Sequence, residues 1–139
     1  MMMKKSLHRF TAIGALGAVA ATMMFAMSSF AAEPGADYAA AKALADRDEA
    51  SLDAAQRQAF MQSQSRQLEA SVANCASPTP DLAPLVVVVE VDARGRIVRT
   101  WRHGTSALAQ CVEQELMGRF LEPPPRAPFH AAFELSFTR

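Results

Sequence analysis

Leu85-Val86-Val87-Val88-Val89-Glu90-Val91-Asp92-Ala93-Arg94-Gly95-Arg96-Ile97-Val98-Arg99-Thr100-Trp101-Arg102-His103 is the stretch on which the fold turns. β-Branched side chains lose rotamer freedom in a helix and pack well on a pleated sheet, so 85–91 reads as a strand. Its near-continuous apolarity reads as burial on both faces. Asp92-Ala93-Arg94-Gly95 is turn chemistry, with Gly95 free to take a positive φ. From Arg96 to His103 the pattern alternates. Ile97 and Trp101 share one parity with Arg99 and His103, while Val98 and Thr100 share the other with Arg96 and Arg102. Strand, tight turn and alternating strand make a hairpin.

Downstream, Gly104-Thr105-Ser106 supplies a break and a helix cap, and Leu108, Cys111, Val112 and Leu116 follow at helical spacing. Gly118 is placed to end that helix. Pro123-Pro124-Pro125 and Pro128 force an extended connector. Phe129, Ala131, Phe133, Leu135 and Phe137 then alternate with His130, Ala132, Glu134, Ser136 and Thr138, the pattern of a half-buried strand.

Upstream, residues 37–74 hold no Pro or Gly and are rich in good helix formers. Ser51 ahead of Leu52 and Asp53 suggests an N-cap, which predicts helices over 37–49 and 52–74. Leu44, Leu52, Phe60 and Leu68 recur every eight residues, a spacing that drifts around a helix. Met61, Leu68, Val72 and Cys75 share a face, so the second helix is expected to dock by its C-terminal half and the first to be loosely attached. Pro78, Pro80 and Pro84 mark a loop before the hairpin. The fold class is small antiparallel α+β: hairpin, helix and final strand, preceded by one or two helices.

The chain opens with Lys4, Lys5 and Arg9 ahead of an uncharged apolar run from Phe10 to Ala32, ending in Ser29-Phe30-Ala31. That is the layout of a signal peptide cleaved after Ala31. An uncleaved anchor is the alternative, though Ala, Gly, Thr and Ser make a poor permanent span. The expected organisation is 1–31 signal peptide, 32–74 helical segment and 75–139 a small domain, periplasmic or secreted. Without its leader the chain carries three more acidic than basic residues. That balance predicts no affinity for nucleic acid, and a membrane association only if the anchor is kept. Cys75 and Cys111 are the two cysteines. In an oxidising compartment an even pair reads as a disulfide.

The strand Val86-Val87-Val88-Val89-Glu90-Val91, the turn Asp92 to Arg96, Cys111-Val112, Arg119-Phe120-Leu121-Glu122-Pro123-Pro124 and the closing Phe133-Glu134-Leu135-Ser136-Phe137 follow one another in a recognisable order. In that order residues 75–139 resemble the TonB C-terminal-like domain, in the helix-cysteine variant found in gliding-motility and envelope proteins. The Tyr-Pro opening of such domains is replaced by Asn74-Cys75 and a proline loop, and their Ser-Ser-Gly segment by His103-Gly104-Thr105-Ser106. No long Pro/Lys-rich spacer is present, so the resemblance implies the domain and not energy transduction. It implies a protein partner in the cell envelope, paired to the last strand at Phe129, His130, Ala132, Glu134 and Ser136. The residues add that this strand holds no proline and a single acid, Glu134, on its outer face. Whether it, 85–91 or the hairpin's second arm forms the edge is left open by the sequence.

Chemistry is sparse. Thiol catalysis would draw on Cys75, Cys111, His103 and His130, but Cys111 sits on an apolar stripe, the wrong setting for a thiolate. The same four residues lack the close-spaced pairs of a zinc site. Glu113 and Glu115 lie two apart on a helix and point different ways. The expectation is a protein that is not an enzyme, with no cofactor and no metal. Arg94, Arg96, Arg99 and Arg102 form a basic hairpin, of which Arg99 and Arg102 are candidate partner contacts, able to grip carboxylates. Its plainer reading is a solvated face balanced by Glu90, Asp92, Glu113 and Glu115. The alternative to strand addition is a structural protein that self-associates through 37–74.

Overall fold

In a computed structural model that describes residues 34–138, the valine run sits at the centre of the sheet. The elements are α1 (Pro34–Ala50), α2 (Ala54–Asn74), β1 (Leu85–Val91), β2 (Ile97–His103), α3 (Ala107–Leu116) and β3 (Phe129–Leu135). The sheet order is β2-β1-β3, all antiparallel. This is the expected small α+β architecture with helices leading. The expected leader, 1–31, and its expected cleavage site lie outside the described residues, among which no helix is long and apolar enough to cross a membrane.

β1 earns its central place by burial on both faces. Leu85, Val87, Val89 and Val91 enter the main core with Ile97, Leu116, Phe129 and Phe133, under α2 and α3. Val86 and Val88 face the opposite way, against Ala41 and Ala45 of α1 and against Trp101. The sheet is therefore a middle layer with helices on each side. Phe60 of α2 meets Phe129 edge to face at 5.1 Å, fixing that helix over β3.

Several expectations change. A bulge between Glu90 and Val91 places both Ile97 and Val98 opposite Val91, so the alternation of β2 switches phase. Ile97 thus enters the main core while Trp101 faces α1, and the two do not share a face as the spacing suggested. The N-cap of α2 is Asp53, not Ser51. Asp53 Oδ1 accepts from Gln56 N (2.8 Å) and Gln56 Oε1 accepts from Asp53 N (3.1 Å), a capping box. Ser51 Oγ instead donates to Asp48 O and finishes α1. Met61 points outward at 58% exposure, because Phe60, Ser63 and Ser71 form the buried face, and α2 docks along most of its length. α1 is not frayed: Ala45 is fully buried and Asp48 is 2% exposed. β3 stops at Leu135, with Ser136 and Phe137 beyond it, and α1 covers the face expected to be solvated.

The turn and the third helix follow the sequence closely. Asp92 Oδ1 accepts from Arg94 N and Arg96 N, both at 2.9 Å, and Gly95 takes φ +88°. Ser106 caps α3, accepting from Ala109 N at 3.1 Å. Cys75 and Cys111 are joined, with their Cα atoms 5.8 Å apart, tying the end of α2 to α3.

Candidate functional site

The outward edge of β3 is where polar chemistry gathers. In an antiparallel ladder the main-chain groups of successive residues point alternately to each neighbour. Here His130 N donates to Asp48 Oδ2 (2.9 Å) and Ala132 N to Glu49 Oε1 (3.2 Å). Gln64 Nε2 bridges Glu49 Oε1 (3.0 Å) and Ala132 O (3.4 Å). Consecutive carboxylates at the end of α1, helped by one amide of α2, thus occupy positions a neighbouring strand would fill.

Asp48 anchors the more buried half. It also accepts from Arg126 Nη2 (2.6 Å) and contacts His130 Nδ1 (3.1 Å). Burial acts to raise its carboxyl, yet the hydrogen bonds from His130 and Arg126 prevail and hold it below the ordinary aspartate value. His130 Nε2 lies 3.6 Å from Glu90, which in turn is 3.8 Å from Arg99. Arg99 sits over the Trp101 ring at 4.7 Å. Both ring nitrogens of His130 therefore face carboxylates rather than a hydroxyl or thiol, and the cysteines are consumed in the disulfide. The constellation binds α1 to the sheet.

Glu49 belongs to the more open half. Burial pushes its carboxyl up, against the lowering effect of Ala132 N and Gln64. Beside it runs a groove of about 600 Å³ between α2 and β3. Leu52, Phe60, Leu68 and Phe133 give it apolar walls, and Arg57 and Gln64 polar ones.

The residues expected to meet a partner are thus separated. Phe129 is fully buried core and offers no surface, and His130, 7% exposed, is engaged by Asp48 and Glu90. Ala132 reaches the groove with its main chain already bonded. Glu134 is exposed and pairs with Lys42 at 3.2 Å. Ser136 is exposed past the strand's end. Arg99 and Arg102 lie on β2, across the sheet from all of these. Arg102 pairs with Glu113 (2.9 Å) and donates to Gly104 O. Glu113 also accepts from Thr100, whereas Glu115 turns to Asn74 and Arg119, so the two acids do serve different elements. Asp48, Glu49, Gln64 and Arg126 were not legible as a group, since 78 to 82 residues separate Asp48 from Arg126 and His130. No family model matches this chain, and neither a curated protein nor a solved structure does.

Proposed function

We propose that this chain is an exported, non-enzymatic protein-binding module of the cell envelope, working in the periplasm, that recruits an extended partner segment by strand addition along β3 from Ala132 onward. One observation carries the reading. An edge strand runs beside an open groove, and its outward groups at Ala132 are met by side chains, Glu49 and Gln64, rather than by another strand. A peptide carbonyl and amide can replace that carboxylate and amide one for one. The apolar walls would take alternate side chains of the incoming segment. The disulfide fits an oxidising compartment, and the resemblance of 75–139 to TonB C-terminal-like domains points the same way.

Self-association through 37–74 has less to work with, because α1 and α2 turn Ala45 and Phe60 inward and leave Met61 as the large exposed apolar residue of α2. A display library of short linear peptides, selected on the exported chain, tests the proposal. Selected peptides are expected to slow amide exchange at Ala132 and Glu134 and to bind more tightly to Gln64→Ala, which loses part of the built-in competitor. Selected peptides that leave both amides unchanged refute addition at this edge.

A further inference from the structure

The opposite edge of the sheet has its own chemistry. Because His130 and Ala132 direct their N–H groups away from β1, their β1 partners Glu90 and Val88 turn theirs toward β2, at Arg99 and Trp101. Thr100 and Arg102 are left facing outward, and among the described residues their main-chain N–H and C=O groups meet no partner. The start of this same edge already accepts a strand. Ile97 N donates to Arg119 O (2.8 Å), Gly118 N to Ile97 O (3.0 Å) and Leu121 N to Gly95 O (2.8 Å), with Arg96 bridged to Phe120. That pairing ends at Gly118, where α3 turns away beneath the sheet, and the next two outward positions stay open.

We propose that the open part of β2 is a second docking edge, taking an extended acidic segment of a protein partner. Charge specifies the occupant. At the open positions Arg102 is matched by Glu113 at 2.9 Å, so the unmatched charge comes from the rest of the hairpin. Arg99, 63% exposed, reaches Glu90 only at 3.8 Å, and Arg94 and Arg96, at its turn end beside Phe120, are exposed and have no acidic side chain within ion-pair distance among the described residues. Guanidinium groups grip carboxylates with paired hydrogen bonds. Exposed Val98, Met117 and Phe120 border the same stretch and add apolar contact. The arginines repel a second copy of this strand, which favours a partner over self-pairing. This site is independent of the one on β3, from which β1 separates it.

Synthetic extended peptides alternating glutamate with threonine, and lysine with threonine, are the probes, titrated against the exported chain. Trp101 is the chain's single tryptophan and lies under Arg99, so its emission reports occupancy. The glutamate peptide is expected to shift that emission, to weaken with added salt, and to slow exchange of the Thr100 and Arg102 amides while leaving Ala132 and Glu134 unchanged. Arg94→Glu with Arg96→Glu, at exposed positions that leave the fold intact, should weaken it by about tenfold or more. Equal binding of the lysine peptide, unprotected Thr100 and Arg102 amides, or indifference to the charge reversal overturns the proposal. So does a response to phosphatidylglycerol vesicles or duplex DNA where the glutamate peptide gives none.

Discussion

Removing the Asp48 carboxylate should loosen α1 on the sheet. The helix keeps its Glu49 contact to Ala132 N, the Lys42–Glu134 pair and the Tyr38–His103 stack at 5.2 Å, but its buried apolar residues are only Ala41 and Ala45, and alanine contributes small area. Asp48 receives the His130 N–H at 2.9 Å, the His130 ring at 3.1 Å and Arg126 at 2.6 Å. Arg126 is half exposed and regains water, so its share is discounted. The His130 groups stay buried, and each donor stranded there costs about 1–3 kcal/mol. Asp48→Ala should therefore destabilise by about 3 kcal/mol. With a urea slope of about 1.5 kcal/mol per molar, the midpoint falls by about 2 M. Asp48→Asn keeps one acceptor oxygen and should lose less, about 1–2 kcal/mol. The pH profile supplies a sign test. Because the folded carboxyl sits below its unfolded value, its stabilisation is present above the unfolded aspartate pKa of about 3.9 and is lost as pH falls through the folded one. Glu49, raised by burial, contributes in the opposite sense, favouring the fold as acid protonates it. Glu49 is present in both proteins, so the difference between wild type and Asp48→Asn isolates Asp48, and it should shrink toward acid. Urea titrations of the oxidised chain from neutral to acid pH measure this. A midpoint for Asp48→Ala within about 0.3 M of wild type, or a difference that does not shrink in acid, would refute the reasoning.

Replacing Cys75 and Cys111 together by serine opens a loop of 36 residues and should cost about 3–4 kcal/mol on the chain-entropy account, read from urea midpoints. Mass spectrometry of a non-reducing digest should recover the two cysteines in one linked peptide pair. Gly95→Ala should destabilise by at least about 2 kcal/mol, since a Cβ there would lie 2.2 Å from Leu121 O at a φ of +88°; a thermal scan within a few degrees of wild type would contradict it. N-terminal sequencing of exported material should begin at Ala32, and an intact Met-Lys-Lys terminus in the membrane pellet would instead support the anchor.

The hairpin, α3 and β3 were legible because each is specified within a few residues. Valine run, Asp-to-Gly turn, serine cap and alternation all act locally. Element order was legible for the same reason. What could not be read is what joins distant parts. The phase switch in β2 depends on a bulge opposite Val91, which no periodicity announces. α1 looked loosely attached because its apolar stripe is thin, and a hydrophobic pattern is the usual sign of docking. Much of its attachment is polar: Asp48 and Glu49 read as ordinary helix-surface acids until β3 brings unpaired N–H groups beside them. The candidate site followed the same division. An edge position for β3 was one of the three readings the sequence left open, but the burial of Phe129 and His130 followed from α2 and α1 arriving on either face.

The two edges are guarded by different means. β3 is guarded by bonding: its outward groups are satisfied by Asp48, Glu49 and Gln64, so a partner there must displace side chains before it pairs. Displacement is easier at Ala132 than at His130, because Glu49 and Gln64 line an open groove whereas Asp48 is enclosed. β2 is guarded by charge, with arginines flanking unpaired main chain. Bonded protection selects for a segment able to outcompete a carboxylate, while charged protection selects for one bearing acids. On the proposed reading, a sheet guarded in these two ways would discourage pairing with its own copies while leaving each edge open to a distinct class of segment. That is the behaviour the proposed protein-binding role would require.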